Sequence, residues 1–149
     1  MQLGTALKRT GKFAYQAMLV AKALPPNWGR STLLLRFTEK TGVSTVFIVT
    51  GDAIEKFDSC DMWRIYDMEL PGKCVKQSEG IKRYGVRNTH EVRLQFPCSL
   101  SLSKKAWPVS VQYDCVHWSS LNQLENNDFI DLVGHVFEKS DIDVTDGLP

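Results

Sequence analysis

With 149 residues, 43% of them hydrophobic and 23% charged, the chain can bury one sizeable core and the beginning of another. A formal net charge of +1 excludes a global electrostatic drive toward nucleic acid, membrane surfaces or acidic substrates, so every charge argument has to be local. Cys60, Cys74, Cys98 and Cys115 lack the paired short spacing of a structural zinc site, and no apolar run approaches a signal peptide or a membrane span. These features fit reduced cysteines in a nuclear or cytosolic protein without a membrane partner.

Residues 1–12 are polar and carry Lys8, Arg9 and Lys12, as expected of a leader to the first strand. The following FAYQAMLVAKAL, residues 13–24, has helix-forming Ala, Met and Leu but ends at Pro25-Pro26, immediately before a hairpin. A barrel needs a long first strand here, and this segment is the one available. TLLLRF and VSTVFIVT are rich in β-branched and aromatic residues on either side of Glu39-Lys40-Thr41-Gly42, the pattern of a tight hairpin. On its second strand Val46, Ile48 and Thr50 share one face, opposite Val43, Thr45, Phe47 and Val49. GDAIEKF then reads as a helix of one or two turns, with Asp52 as its cap and Ile54 and Phe57 on one face. Met62 to Met68 and Val86 to Phe96 again favour strands, joined by the polar QSEGIKR connection. The expected fold is all-β: a small five-stranded barrel with a short helix.

The order of these pieces resembles the first single-stranded-DNA-binding OB domain of the replication protein A large subunit. The matched segments are Val20-Ala21-Lys22, Trp28-Gly29-Arg30, LLLRFTEKTG, VSTVFIVTGDAIEKF, RIYDMELPGKCVK and the Tyr84 to Phe96 stretch. The resemblance extends to Phe129-Ile130-Asp131-Leu132-Val133-Gly134-His135-Val136, which looks like the opening strand of that family's second OB domain. It implies an OB-fold domain over 13–97, a linker over 98–118, and over 119–149 the start of a second OB-like domain or a docking extension containing one further strand.

What the resemblance implies is binding without catalysis or cofactor. In such a barrel a groove between the first-to-second and fourth-to-fifth strand loops tracks phosphates with Lys and Arg and stacks bases on aromatic rings. Lys22, Trp28 and Arg30 on the first connection, with Lys82, Arg83, Tyr84 and Arg87 on the last hairpin, are the candidate contacts. Tyr84 falls close to one stacking aromatic of the family. The other aligns with Thr50, and an arginine of the binding face aligns with Val46. One stack and one phosphate contact are thereby lost, which predicts a weaker binder of strong salt dependence.

Catalytic and metal-binding readings lack residues. His90, His117 and His135 are dispersed, Ser119-Ser120 has no glycine-flanked elbow, and no glycine-rich phosphate loop occurs. Glu125, Asp128, Asp131, Glu138, Asp141, Asp143 and Asp146 spread over a strand and tail, as a solvated acidic face does. The expected function is non-specific binding of single-stranded DNA in nuclear replication, repair or recombination, in a general factor or a meiotic or telomeric relative. Sequence leaves DNA and RNA undistinguished. The alternative is a protein-interaction OB module that docks a peptide or another OB subunit, with the C-terminal strand or acidic tail making the contact.

Overall fold

In the computed structural model, which describes residues 11–23, 31–78, 86, 88–108, 117–125 and 130–140, the chain opens on a twelve-residue strand, β1 (Lys12–Ala23). Phe13, Tyr15, Ala17 and Leu19 alternate into the core while their neighbours face outward. That period of two prevails over the helical propensity of the Ala and Met residues, because burying one face of a strand outweighs tenths of a kcal/mol per residue of propensity. β1 serves two partners. Its first half pairs with β4 (Ile65–Pro71), from Lys12↔Pro71 to Met18↔Ile65, and its second half with β2 (Thr32–Thr38), from Met18↔Thr38 to Ala23↔Leu34. A register break between Leu19 and Ala21 accompanies the change of partner, as a bulge does at a barrel corner.

β2 and β3 (Ser44–Thr50) form the expected hairpin, in register from Thr38↔Ser44 to Thr32↔Thr50. The turn closes through Gly42 N–H donating to Glu39 O at 2.9 Å, with Gly42 at φ +90°. A 3-10 turn, Gly51–Ala53, and the short helix α1 (Ile54–Asp58) follow. Asp52 does not cap this helix as expected; it lies within the 3-10 turn, and neither Thr50 nor Ala53 at the two starting positions provides a side-chain cap. Gly51 has φ +58°, and an added Cβ would lie 3.1 Å from the Gln95 carbonyl oxygen, so backbone angle and space both call for glycine. Phe57 does point inward as expected, closing the barrel end against Phe37 and Phe47 at ring-centroid distances of 6.4 and 6.2 Å. Phe37 and Phe47 are themselves 4.7 Å apart at the centre of the core.

β4 begins at Ile65, three residues later than the sequence implies, because Trp63 takes φ +65° and interrupts the extended run. It passes through a 3-10 turn, Gly72–Cys74, into a three-residue strand, β5 (Val75–Gln77). β6 (His90–Leu94) runs antiparallel to β5 and parallel to β3. The hydrogen-bonded order is β5-β6-β3-β2-β1-β4, and β4 continues into β5 across one turn, so the ends of the ring are successive pieces of one bent strand. This is the all-β OB architecture, with α1 at the barrel end.

A further strand, β7 (Ser99–Leu102), pairs antiparallel with the outer edge of β4, from Glu69↔Ser99 to Tyr66↔Leu102. The sequence reading gave this stretch to the linker and put the extra strand at 129–136. In the described part of that segment, from Ile130 onward, a single bridge residue occurs at Asp131. Val133, Val136 and Phe137 are exposed, the last at 95%, and residues 132–136 form no strand among the described residues, while Phe129 lies outside them. A 3-10 helix, Trp118–Gln123, precedes it, and Gly134 runs close to the Trp118 ring.

Candidate nucleic-acid interface

The outward face of β2, β3 and β6 is where an OB barrel carries its ligand. Strand register orders its side chains in rows. Ala21, Arg36, Val46 and Glu91 lie across one row of β1, β2, β3 and β6; Ala23, Leu34, Ile48 and Arg93 form the next; Thr32 and Thr50 stand opposite one another beyond them. Val46 and Ile48 are each 6% exposed and pack with Val86 and Leu34 in an apolar cluster separate from the main core. β3 is therefore buried on both faces, whereas simple alternation anticipates one solvated face.

A charged pair sits within this apolar surface. Glu91 is 2% exposed, and its Oε1 accepts from Arg93 Nε at 2.9 Å and is 2.8 Å from Arg93 Nη2. Glu91 Oε2 and Arg36 Nε are buried without hydrogen-bond partners. Each unsatisfied group costs about 1–3 kcal/mol. Both atoms are shielded from solvent, with Val46 between their residues in the row, so they become available to a ligand only where the cover over the face moves. The sequence reading missed Arg36, Glu91 and Arg93. The signal was available in the Glu91-Val92-Arg93 alternation, which places two opposite charges on one strand face around an inward valine.

Of the expected contact residues, Lys22 and Thr50 are described. Thr50 lies at the end of β3, half-buried, its hydroxyl donating to Leu94 O at 3.5 Å. Lys22 pairs with the inward-facing Leu35, so its side chain leaves the ligand face for the barrel end. There Nζ donates to Asp58 O at 2.6 Å and Cys60 O at 3.1 Å, and lies 3.6 Å from the Asp58 carboxylate. It satisfies carbonyls at the end of α1 that have no partner within the helix. Trp28, Arg30, Lys82, Arg83, Tyr84 and Arg87 lie outside the described residues. Lys22 thus serves the end of α1, whereas Thr50 stands at the end of β3, three register rows further along the sheet.

Among the described residues the thiols carry no sign of activation. Burial pushes the Cys60 thiol up to about 11, against smaller lowering contributions from Tyr66 and Lys22, and burial also raises Cys74 and Cys98. Among the described residues no group of three or more His, Cys, Asp or Glu side chains is placed to hold a metal ion, and no helix is long and apolar enough to cross a membrane.

No protein-family model matches the sequence, and no curated protein matches it. Among solved structures the chain is similar to part of a replication protein A heterotrimer bound to ssDNA, with a TM-score of 0.54 at 14% sequence identity. The match covers 78% of this chain and 28% of that one. At that identity the likeness speaks for the fold: the barrel wall just described is an OB-fold wall of the kind found in that assembly.

Proposed function

We propose that this chain is a single-stranded-DNA-binding OB domain that holds its ligand across the outward face of β2, β3 and β6. The observation that carries the reading is the buried Glu91, fixed by Arg93 through one oxygen and without a partner at the other, in one row with the unpartnered Arg36 Nε beneath an apolar cover that the ligand displaces. Bases take the place of Val86 over Val46 and Ile48, Thr50 borders the platform, and Trp28, Arg30, Lys82, Arg83, Tyr84 and Arg87 supply rings and charges from the flanking connections. Lys22 serves the end of α1. The similarity to part of an ssDNA-bound heterotrimer supports the same reading, and the setting we propose for it is replication, repair or recombination in the nucleus.

A titration of labelled oligo-dT at low and moderate salt tests this. Binding at low salt is expected, weakened by Arg83→Ala with Tyr84→Ala about tenfold or more, since one stacked base contributes roughly 1–3 kcal/mol. Absence of binding at low salt removes the proposal. A protein-docking role is the second reading, favoured by the closure of Val46 and Ile48 under Val86 and by the exposed Val133, Val136 and Phe137. On that reading the double substitution leaves association with another OB subunit intact, and oligonucleotides do not compete with it.

A further inference from the structure

Trp63 occupies a position that the fold would fill more cheaply with another residue. Among the described residues it is the non-glycine residue with positive φ, at +65°, a region that a bulky side chain enters only under strain. The fold requires the backbone there: Trp63 N–H donates to Leu19 O at 2.8 Å and Leu19 N–H donates to Arg64 O at 3.0 Å, closing the turn onto the β1 bulge. Asparagine or glycine meets that requirement without strain. The indole is 60% exposed between exposed Met62 and Arg64, so packing does not account for its presence. A strained backbone supporting a solvent-facing ring is the combination that binding sites retain.

Its location connects it to the ligand face. Leu19, the residue it is bonded to, lies two positions before Ala21, and Ala21 pairs with Arg36 in the row that continues through Val46 to Glu91. Trp63 is thereby held against the β1 bulge, where β1 passes from β4 to β2 and so to the strands of that face. The charge nearby is mixed: Arg64 is exposed, but so is Asp61, and Lys22 is engaged with Asp58. A flat uncharged contact is what this surface offers.

We propose that Trp63 is a base-stacking platform that extends the single-strand track past the β1 edge of the barrel and lengthens its footprint. The inference rests on the proposed ssDNA reading and adds a contact that charge and motif did not mark. Stacking on an indole is indifferent to base identity and releases no counterions.

The test is fluorescence anisotropy with oligo-dT from about 4 to 16 nucleotides, the range of single OB footprints, on the full chain and on Trp63→Asn, with Trp118→Ala as an exposed-tryptophan control. The expected result is that Trp63→Asn binds the shortest oligomers normally but loses about tenfold or more on the longer ones. Its salt slope stays unchanged and its Tm is no lower than that of the wild type, while Trp118→Ala behaves as wild type. Equal affinity of Trp63→Asn and wild type at every length overturns the inference and leaves the ssDNA reading standing. A changed salt slope, or a Tm lower by several degrees, overturns it by making the contact ionic or the ring structural. Failure of the wild type to bind at any length removes the underlying reading itself.

Discussion

Lys22→Met separates the role that the structure gives this lysine from the one its place in the sequence implies. Methionine keeps most of the aliphatic stem and removes only the ammonium. Two carbonyl acceptors at 2.6 and 3.1 Å and a carboxylate at 3.6 Å then lose their donor. The ion pair contributes little, because the Asp58 side chain is largely exposed and such pairs are worth about 0–1 kcal/mol. The carbonyl contacts dominate. A hydrogen bond with a charged partner contributes about 1.5–3 kcal/mol when buried, and partial exposure together with water replacing the ammonium reduces the loss to about 1–2 kcal/mol. For a chain of this size that lowers Tm by roughly 3–6 °C. Urea unfolding followed by tryptophan fluorescence gives the stability change, and oligo-dT binding at several salt concentrations gives the second readout. With Lys22 bound to the helix end, the salt slope stays as in the wild type. Unchanged stability together with a slope smaller by about 0.7, the share of one phosphate contact on a single strand, would refute this reasoning and put Lys22 on the phosphate track.

Two further substitutions test the site and its support. Arg93→Met leaves the buried Glu91 carboxylate without its partner and is expected to cost about 1–3 kcal/mol in urea unfolding, whereas Glu91→Leu, which removes the group left unpartnered, costs less; the reverse order would mean that Glu91 does not depend on Arg93. The Cys60 thiol, raised by burial to about 11, holds its proton more tightly in the folded chain than in the unfolded one, so its contribution is fully present below the unfolded value near 9 and is lost as pH rises toward 11. Stability should fall by about 1–2 kcal/mol between roughly pH 8 and 11, and Cys60→Ala should show a shallower fall in urea midpoints over the same range.

The parts of the barrel visible in sequence were those where one physical effect dominates. The β2–β3 hairpin shows through because β-branched and aromatic runs flank a turn whose Gly42 takes φ +90°. β1 is legible only through the needs of the barrel, since its composition points to a helix, and its period-two burial shows in the structure. β5 is three residues long with Lys76 and Gln77 exposed, and β7 alternates Ser and Leu over four residues. Neither carries enough pattern to stand apart from a loop, and both exist because β6 and β4 offer them an edge. The reverse holds at 129–136, where apolar alternation predicts a strand and the described residues 130–136 show a single bridge at Asp131. At the ligand face the difficulty was different. Arg36 and the Glu91–Arg93 pair sit on two stretches of chain far apart in sequence, and only the parallel pairing of β3 with β6 puts Glu91 in the row of Arg36.

That row also constrains where the affinity of a single-strand binder would come from. Arg93 is matched by Glu91, which leaves Arg36 as the uncompensated charge among the two central rows of the face. Charge neutralisation must therefore come chiefly from the connections, where sequence supplies Arg30, Lys82, Arg83 and Arg87. At about 0.7 per contact on a single strand, those four residues and Arg36 set an upper bound of about 3.5 on the salt slope. On the proposed reading the face would contribute in another manner: once the ligand displaces Val86, Val46 and Ile48 would provide apolar contact and the Glu91 oxygen, buried in the free chain, would accept from a base amino group, an interaction that salt hardly screens. A strand held in this way is drawn in by the loops and oriented by the sheet. Substitutions in the loops should then alter the salt slope, whereas substitutions on the face should alter the preference between amino-bearing bases and thymine at constant slope.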